Sequence, residues 1–184
     1  MHLVDRAASN GRAPDERLRE FATAPPHTRM LVCADGSTTV LLEALIGARL
    51  SVQVTRQRKV SAGDVPEIGC HLLGVEPEEI VVDRISRILT PADDVISVNR
   101  VVIGGPGAAR LIPPDEELLG PHLRRIGVTA RRDPLGAARG TWPLGGNRGE
   151  CVSKEYVIDC GFAGRVYVHE RFNPGFVPLG EGVR

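Results

Sequence analysis

Two charged residues fall where strand periodicity turns them inward. The stretch Arg165-Val166-Tyr167-Val168-His169-Glu170-Arg171-Phe172-Asn173-Pro174 alternates as a strand does, placing Val166, Val168, Glu170 and Phe172 on one face. A carboxylate among apolar neighbours is a paired core charge or a working acid. Burial raises a carboxyl pKa toward the range useful for proton transfer near neutral pH. The same parity in residues 80–89 groups Val82, Arg84, Ser86 and Ile88. An arginine there is a snorkelling chain at a sheet edge, a partner for Asp83 or for an acid on the next strand, or a planar two-pronged grip for a carboxylate. Arg100 has the same ambiguity.

Other chemistries find less support. Cys33, Cys70, Cys151 and Cys160 form no CxxC pair, and the five histidines do not cluster with them. Buried free thiols fit better than a zinc site. Gly104-Gly105-Pro106-Gly107 reads as a surface connection, because no GxGxxG or GKS/T pattern opens a helix there. Neither a structural zinc site nor a nucleotide-binding loop is therefore expected.

The elements that must carry Glu170 and Arg84 are mostly strands. Residues 49–58 alternate cleanly, with Leu50, Val52 and Val54 inward. Residues 80–89 and 95–103 form a hairpin through the turn Pro91-Ala92-Asp93-Asp94. Residues 152–160 return through Gly161-Phe162-Ala163-Gly164 into the Glu170 strand. A helix over residues 40–47 is capped by Asp35, Ser37 or Thr38 and ended by Gly47. A short helix is expected around Asp15–Phe21, ended by Ala24-Pro25-Pro26. Residues 113–127 read as one or two helical segments interrupted at Gly120-Pro121. Residues 129–140, with Arg131, Arg132 and Arg139, read as a solvated basic face. Hairpin-linked strands with few helices predict an α+β fold: an antiparallel sheet with helices on one side.

The chain has 184 residues, enough for one domain with a sizeable core, and 23 basic side chains balance 23 acidic ones. That balance gives no support for a nucleic-acid partner or an acidic membrane surface. The polar N-terminus lacks the apolar stretch of a secretory signal, and no run approaches the ~20 apolar residues of a membrane span. A soluble, cytoplasmic protein is expected, with its oligomeric state left open.

Several segments, in order, resemble the chorismate pyruvate-lyase family. They are residues 30–39 leading into Leu41-Leu42-Glu43, Val54-Thr55-Arg56-Gln57, Val82-Asp83-Arg84-Ile85, Leu118-Leu119-Gly120 with Leu123, and Glu170-Arg171-Phe172-Asn173-Pro174. The resemblance implies a six-stranded antiparallel sheet, helices over one side, and a small buried pocket. The resembling segments cover about residues 28–178, expected as a single domain; from their own composition, residues 1–27 read as a disordered or short helical lead and 179–184 as a frayed tail. The resemblance also implies a cofactor-free carbon–oxygen lyase that converts chorismate to 4-hydroxybenzoate and pyruvate. On that likeness Arg84 grips the ring carboxylate and Glu170 faces the para oxygen as the acid. Thr38 and Leu119 hold the aromatic ring through their main chain. Leu135, in Asp133-Pro134-Leu135-Gly136, competes with Leu119 for the pocket position. The loops 104–110 and 142–148 match nothing in the family.

The leading expectation is therefore a lyase with a small-molecule substrate. The alternatives are a related enzyme acting on isochorismate or another aromatic-pathway acid, and a non-catalytic aromatic-acid binder of the same fold. Ligand-sensing domains of some bacterial transcription regulators are similar in fold to this family. About 28 residues precede the domain here, too few for a DNA-binding helical module, so no nucleic-acid partner is expected.

Overall fold

The computed structural model describes residues 19–65, 68–145 and 149–180. Six strands form one sheet: β1 (Ser51–Ser61), β2 (Ile80–Leu89), β3 (Val95–Gly104), β4 (Arg131–Thr141), β5 (Glu150–Asp159) and β6 (Arg165–Phe172). Their spatial order is β1-β2-β3-β6-β5-β4, and every neighbouring pair is antiparallel. The helices are short: α1 (Pro26–Cys33), α2 (Thr38–Ile46), α3 (Cys70–Leu73), α4 (Ala108–Leu111) and α5 (Leu119–Arg125). The α+β architecture expected from the sequence is the one observed.

Alternation sorts the core onto two faces. On one face, Ile88, Ile96, Val152 and Phe172 pack with Leu31 and Val32 of α1 and Leu42 of α2. Further along it, Val101, Ile158, Val166 and Val168 pack with Leu111 of α4 and Leu123 of α5. The opposite face carries Val81, Val102, Val157 and Tyr167 under α3 and the turn at Ala62–Asp64, and Val98 and Cys151 under Trp142. Gly47 ends α2 in the left-handed region (φ 72°), and its N–H bonds the Glu43 carbonyl, as a glycine C-cap should.

Three local expectations need correction. The basic stretch read as a solvated face is strand β4. Its Pro134 and Gly136 break alternation, which an edge strand tolerates because one side of its ladder is unpaired; the register shifts between those two residues. Gly120-Pro121 does not interrupt a helix but lies in the first turn of α5, where the N–H groups have no intrahelical partner and proline is harmless. The packed body also reaches past both ends of 28–178. Phe21 and Leu179 are buried in the main core, and Thr28 Oγ1 donates to the Pro178 carbonyl at 2.9 Å. The helix expected over Asp15–Phe21 lies mostly outside the described residues, as do positions 181–184 of the tail.

One irregularity decides what reaches the site. The β1–β2 register shifts between Val54 and Arg56, bulging at Thr55. Before the bulge, Val52 and Val54 face the helices; beyond it, Gln57 takes that side opposite Arg84, and Arg56 and Arg58 turn to the other. Uninterrupted alternation would have put Gln57 on the wrong face.

Candidate ligand-binding cavity

A cavity opens where the two clusters on the helix-covered face meet. Every strand of the sheet lends it a residue: Val52, Arg84, Asn99, Arg132, Tyr156 and Glu170, taken from β1 to β6 in chain order. Thr38 of α2 and Leu119 of α5 close the top. Its free space, measured for the centres of water-sized molecules, is about 50 Å³. The four residues that the sequence reading singled out, Thr38, Arg84, Leu119 and Glu170, all line it. Leu135 does not: it packs against the cluster on the opposite face.

Glu170 is buried to 6% exposure and accepts a hydrogen bond from Thr38 Oγ1 at 2.8 Å. Burial pushes its carboxyl above the usual range. The Thr38 bond, the nearby Lys154 cation, the Tyr156 hydroxyl and Arg132 oppose that push without cancelling it. Tyr156 is pushed well above its ordinary value, first by burial and then by Glu170, so its hydroxyl keeps its proton and serves as a donor.

Lys154 lies directly opposite Glu170 in the β5–β6 register and is buried to 2% exposure. Its Nζ donates to the carbonyls of Leu31 and Ala34 at the end of α1. A cation suits that position, where the last helical carbonyls lack intrahelical partners. The sheet floor is thus tied to both helices of the α1–α2 pair: Lys154 holds the end of α1, and Glu170 holds the start of α2.

Arg84 is differently engaged. Its Nη1 donates to Gln57 Oε1 at 2.9 Å and to the Pro113 carbonyl at 2.8 Å, and its Nη2 to the Pro114 carbonyl at 3.2 Å. Asp115 stands 3.7 Å away. Burial lowers the guanidinium pKa and Asp115 opposes the shift; an arginine remains cationic regardless. The neighbouring Asp83 is not its partner. It faces the other side of the sheet and accepts from Arg56, Arg58 and Arg100.

Three lining residues escaped the sequence reading. Asn99 stands opposite Glu170 in the β3–β6 register, and its buried Oδ1 has no hydrogen-bond partner. Arg132 of β4 has a buried Nε without a partner. Tyr156 shares a face with Lys154 and Ile158. Parity along β5 signals Tyr156 and Lys154; nothing in the sequence signals Arg132, because Pro134 and Gly136 make its strand resemble a loop.

The rim of the cavity is the segment from Pro113 to α5. Glu117 binds Arg125 Nη2 at 2.6 Å and Nε at 3.0 Å, and the Arg125 bond is the main reason its carboxyl is pushed down to about 2. A roomier groove of about 230 Å³ lies on the outer side of α1 and α2, lined by His27, Met30, Leu41 and Leu45. It is apolar and lacks the convergent polar groups of the inner cavity. Among the described residues no group of histidine, cysteine or acidic side chains could hold a metal, and no helix is long and apolar enough to cross a membrane.

This sheet and its enclosed pocket define the chorismate lyase-like fold, and comparison with solved structures says which of its users the chain is similar to. PhnF from Mycobacterium smegmatis matches with a TM-score of 0.61 and 14% identity over 78% of this chain and 66% of that one. The PhnF effector domain alone matches with the same TM-score of 0.61 and 14% identity over 77% of this chain and 91% of the domain. The ligand-binding domain of a GntR-family transcriptional regulator from Bordetella bronchiseptica matches at 0.57, with 13% identity over 74% of this chain and 90% of that one. The chain therefore spans just under two thirds of the PhnF chain but about nine tenths of the effector-domain chain. No protein-family model and no curated protein matches the chain.

These findings overturn the expectation of a carbon–oxygen lyase. The solved structures the chain is similar to include the effector domain of PhnF and the ligand-binding domain of a GntR-family transcriptional regulator, not a lyase. The geometry agrees in one respect: three of the five N–H donors of Arg84, which the lyase expectation assigned to a substrate carboxylate, are already engaged by Gln57 and the rim carbonyls.

Proposed function

We propose that the chain is a ligand-binding domain of the effector type, which holds a small, flat carboxylic acid in the inner cavity without converting it. The observation that carries this reading is the cavity's make-up. Apolar walls from Val52, Ile88, Val101, Ile158 and Val168 enclose a few polar groups of both signs. That is the usual composition of a small-molecule site. An aromatic acid such as 4-hydroxybenzoate has the matching form, an apolar ring with a polar group at each end.

Space sets a condition on binding. About 50 Å³ falls well short of the ~150 Å³ that lets an apolar cavity take benzene. A ring-sized ligand therefore displaces part of the wall. The rim at residues 113–120 is the element to move, since carbonyls and one carboxylate hold it to Arg84, without a strand ladder. A conformational response to the ligand is what an effector domain needs.

Isothermal titration with 4-hydroxybenzoate should give saturable, one-to-one binding, with all of the compound recovered chemically unchanged. The absence of both binding heat and thermal stabilisation at millimolar compound would refute the reading.

A further inference from the structure

We infer that Arg132 takes the ligand's carboxylate and that Asn99 Oδ1 selects ligands carrying a hydrogen-bond donor at the opposite end, while Arg84 serves to hold the rim. This rests on the cavity being the ligand site.

The inference follows from which polar atoms already have partners. Arg84 has three acceptors within hydrogen-bond distance and Asp115 beside them. Three of its five N–H groups are already taken, so a carboxylate arriving there competes with acceptors supplied by the chain itself. Arg132 Nε is buried, faces no acceptor, and belongs to a guanidinium on the cavity wall. A carboxylate bound to it gains a charge-assisted bond without breaking another. Asn99 is buried to 8% exposure, and its Oδ1 likewise has no partner. A buried acceptor left unpaired is costly, so a ligand hydroxyl that donates to it recovers that loss. A ligand with no hydrogen at that end leaves the atom unpaired and binds less well.

The sheet order places the two atoms suitably. Asn99 is on β3 and Arg132 on β4, with β6 and β5 between them. Glu170 and Tyr156 stand on those intervening strands and form the floor between the two ends. Arg132 also acts electrostatically on both Glu170 and Tyr156, which puts its charge within range of that floor. A molecule lying across β6 and β5 therefore meets a cation at one end and an open acceptor at the other.

The test titrates 4-hydroxybenzoate and 4-methoxybenzoate, which share the carboxylate but differ in the para donor, into the full chain and three variants. Arg132→Gln is expected to weaken 4-hydroxybenzoate binding at least about tenfold. Arg131→Gln, at an exposed neighbour paired with Asp133, leaves it unchanged. The unaltered chain prefers the hydroxy over the methoxy compound by about tenfold, and Asn99→Leu removes that preference. Both substituted arginines lie on an edge strand, and melting curves confirm that each variant is folded. Equal binding by the Arg131 and Arg132 variants, or no hydroxy preference in the unaltered chain, overturns the inference and leaves the cavity reading standing. No binding of either compound to the unaltered chain overturns both.

Discussion

Asp83→Ala should lower the melting temperature by about 6–12 °C, which corresponds to about 3 kcal/mol at the ~2–4 °C per kcal/mol typical of chains this long. Asp83 has a fully buried side chain, and three arginines converge on it: Arg100 Nε at 2.9 Å, Arg56 Nη2 at 3.0 Å and Arg58 Nη2 at 3.3 Å. They come from β3 and β1, so one carboxylate on β2 fastens three adjacent strands. Removing it leaves three cations facing one another. The loss falls at the lower end of the range for a broken buried pair because Arg56 and Arg58 are half in water. The pH dependence has a definite sign. Burial alone would raise the Asp83 pKa, but the hydrogen bond and charge of Arg100, then Arg56 and Arg58, outweigh it and hold the carboxyl below its ordinary 3.8. Its stabilisation is complete above that value and disappears as pH falls through the lower, folded-state pKa. The gap between variant and parent should be flat from pH 5 to 8 and close in acid. A melting temperature within ~2 °C of the parent at pH 7 would show that the three-strand clamp carries no weight.

The second large effect is at Lys154. Lys154→Met should also cost about 3 kcal/mol, because the Leu31 and Ala34 carbonyls lose their buried donor and Glu170 loses a nearby cation. Here the pH dependence differs. Without the cation, the Glu170 carboxyl moves further above 4.5. A raised carboxyl pKa means that the fold holds the proton more tightly than the unfolded chain does. Stability then falls as pH rises from about 4.5 toward the folded-state value. The Lys154 gap should therefore widen with pH between the folded-state Glu170 values of parent and variant, both above 4.5, where the Asp83 gap stays level. Paired denaturation curves at three pH values separate the two. A Lys154 gap independent of pH would mean that its charge does not act on Glu170.

Both residues show what the sequence could reveal. Period-two parity sufficed to place Arg84 and Glu170 on one face, because β2 and β6 run without interruption past them. The hairpin of β2 and β3 was legible from its apolar alternation and its Pro91–Asp94 turn. Gly47 marked the end of α2 for a plain conformational reason. The resemblance to the lyase family gave the number of strands, whereas the residues alone supported five. β4 stayed hidden because an edge strand can carry Pro134, Gly136 and three arginines without penalty, and those are the residues that signal a loop. Arg132 was hidden with it.

The bulge at Thr55 was not legible either, since Val54-Thr55-Arg56-Gln57 keeps a strand-like composition through the shift. Its consequence is large: it turns Gln57 to Arg84 and sends Arg56 and Arg58 to Asp83. The activity failed for a related reason. Types and facing identified an arginine and an acid lining one cavity, but not that the chain's own rim carbonyls already engage the arginine. Partners that distant in sequence are set by the tertiary fold, and a fold hosts more than one function.

The most direct test of ligand binding in the inner cavity is a backbone and methyl NMR titration of the full chain with 4-hydroxybenzoate. Saturable shifts should concentrate at Thr38, Val101, Leu119 and Val168 and along the 113–120 rim, with His27, Met30 and Leu45 on the outer groove unmoved. Shifts confined to the outer groove, or none at all at saturating compound, would contradict it.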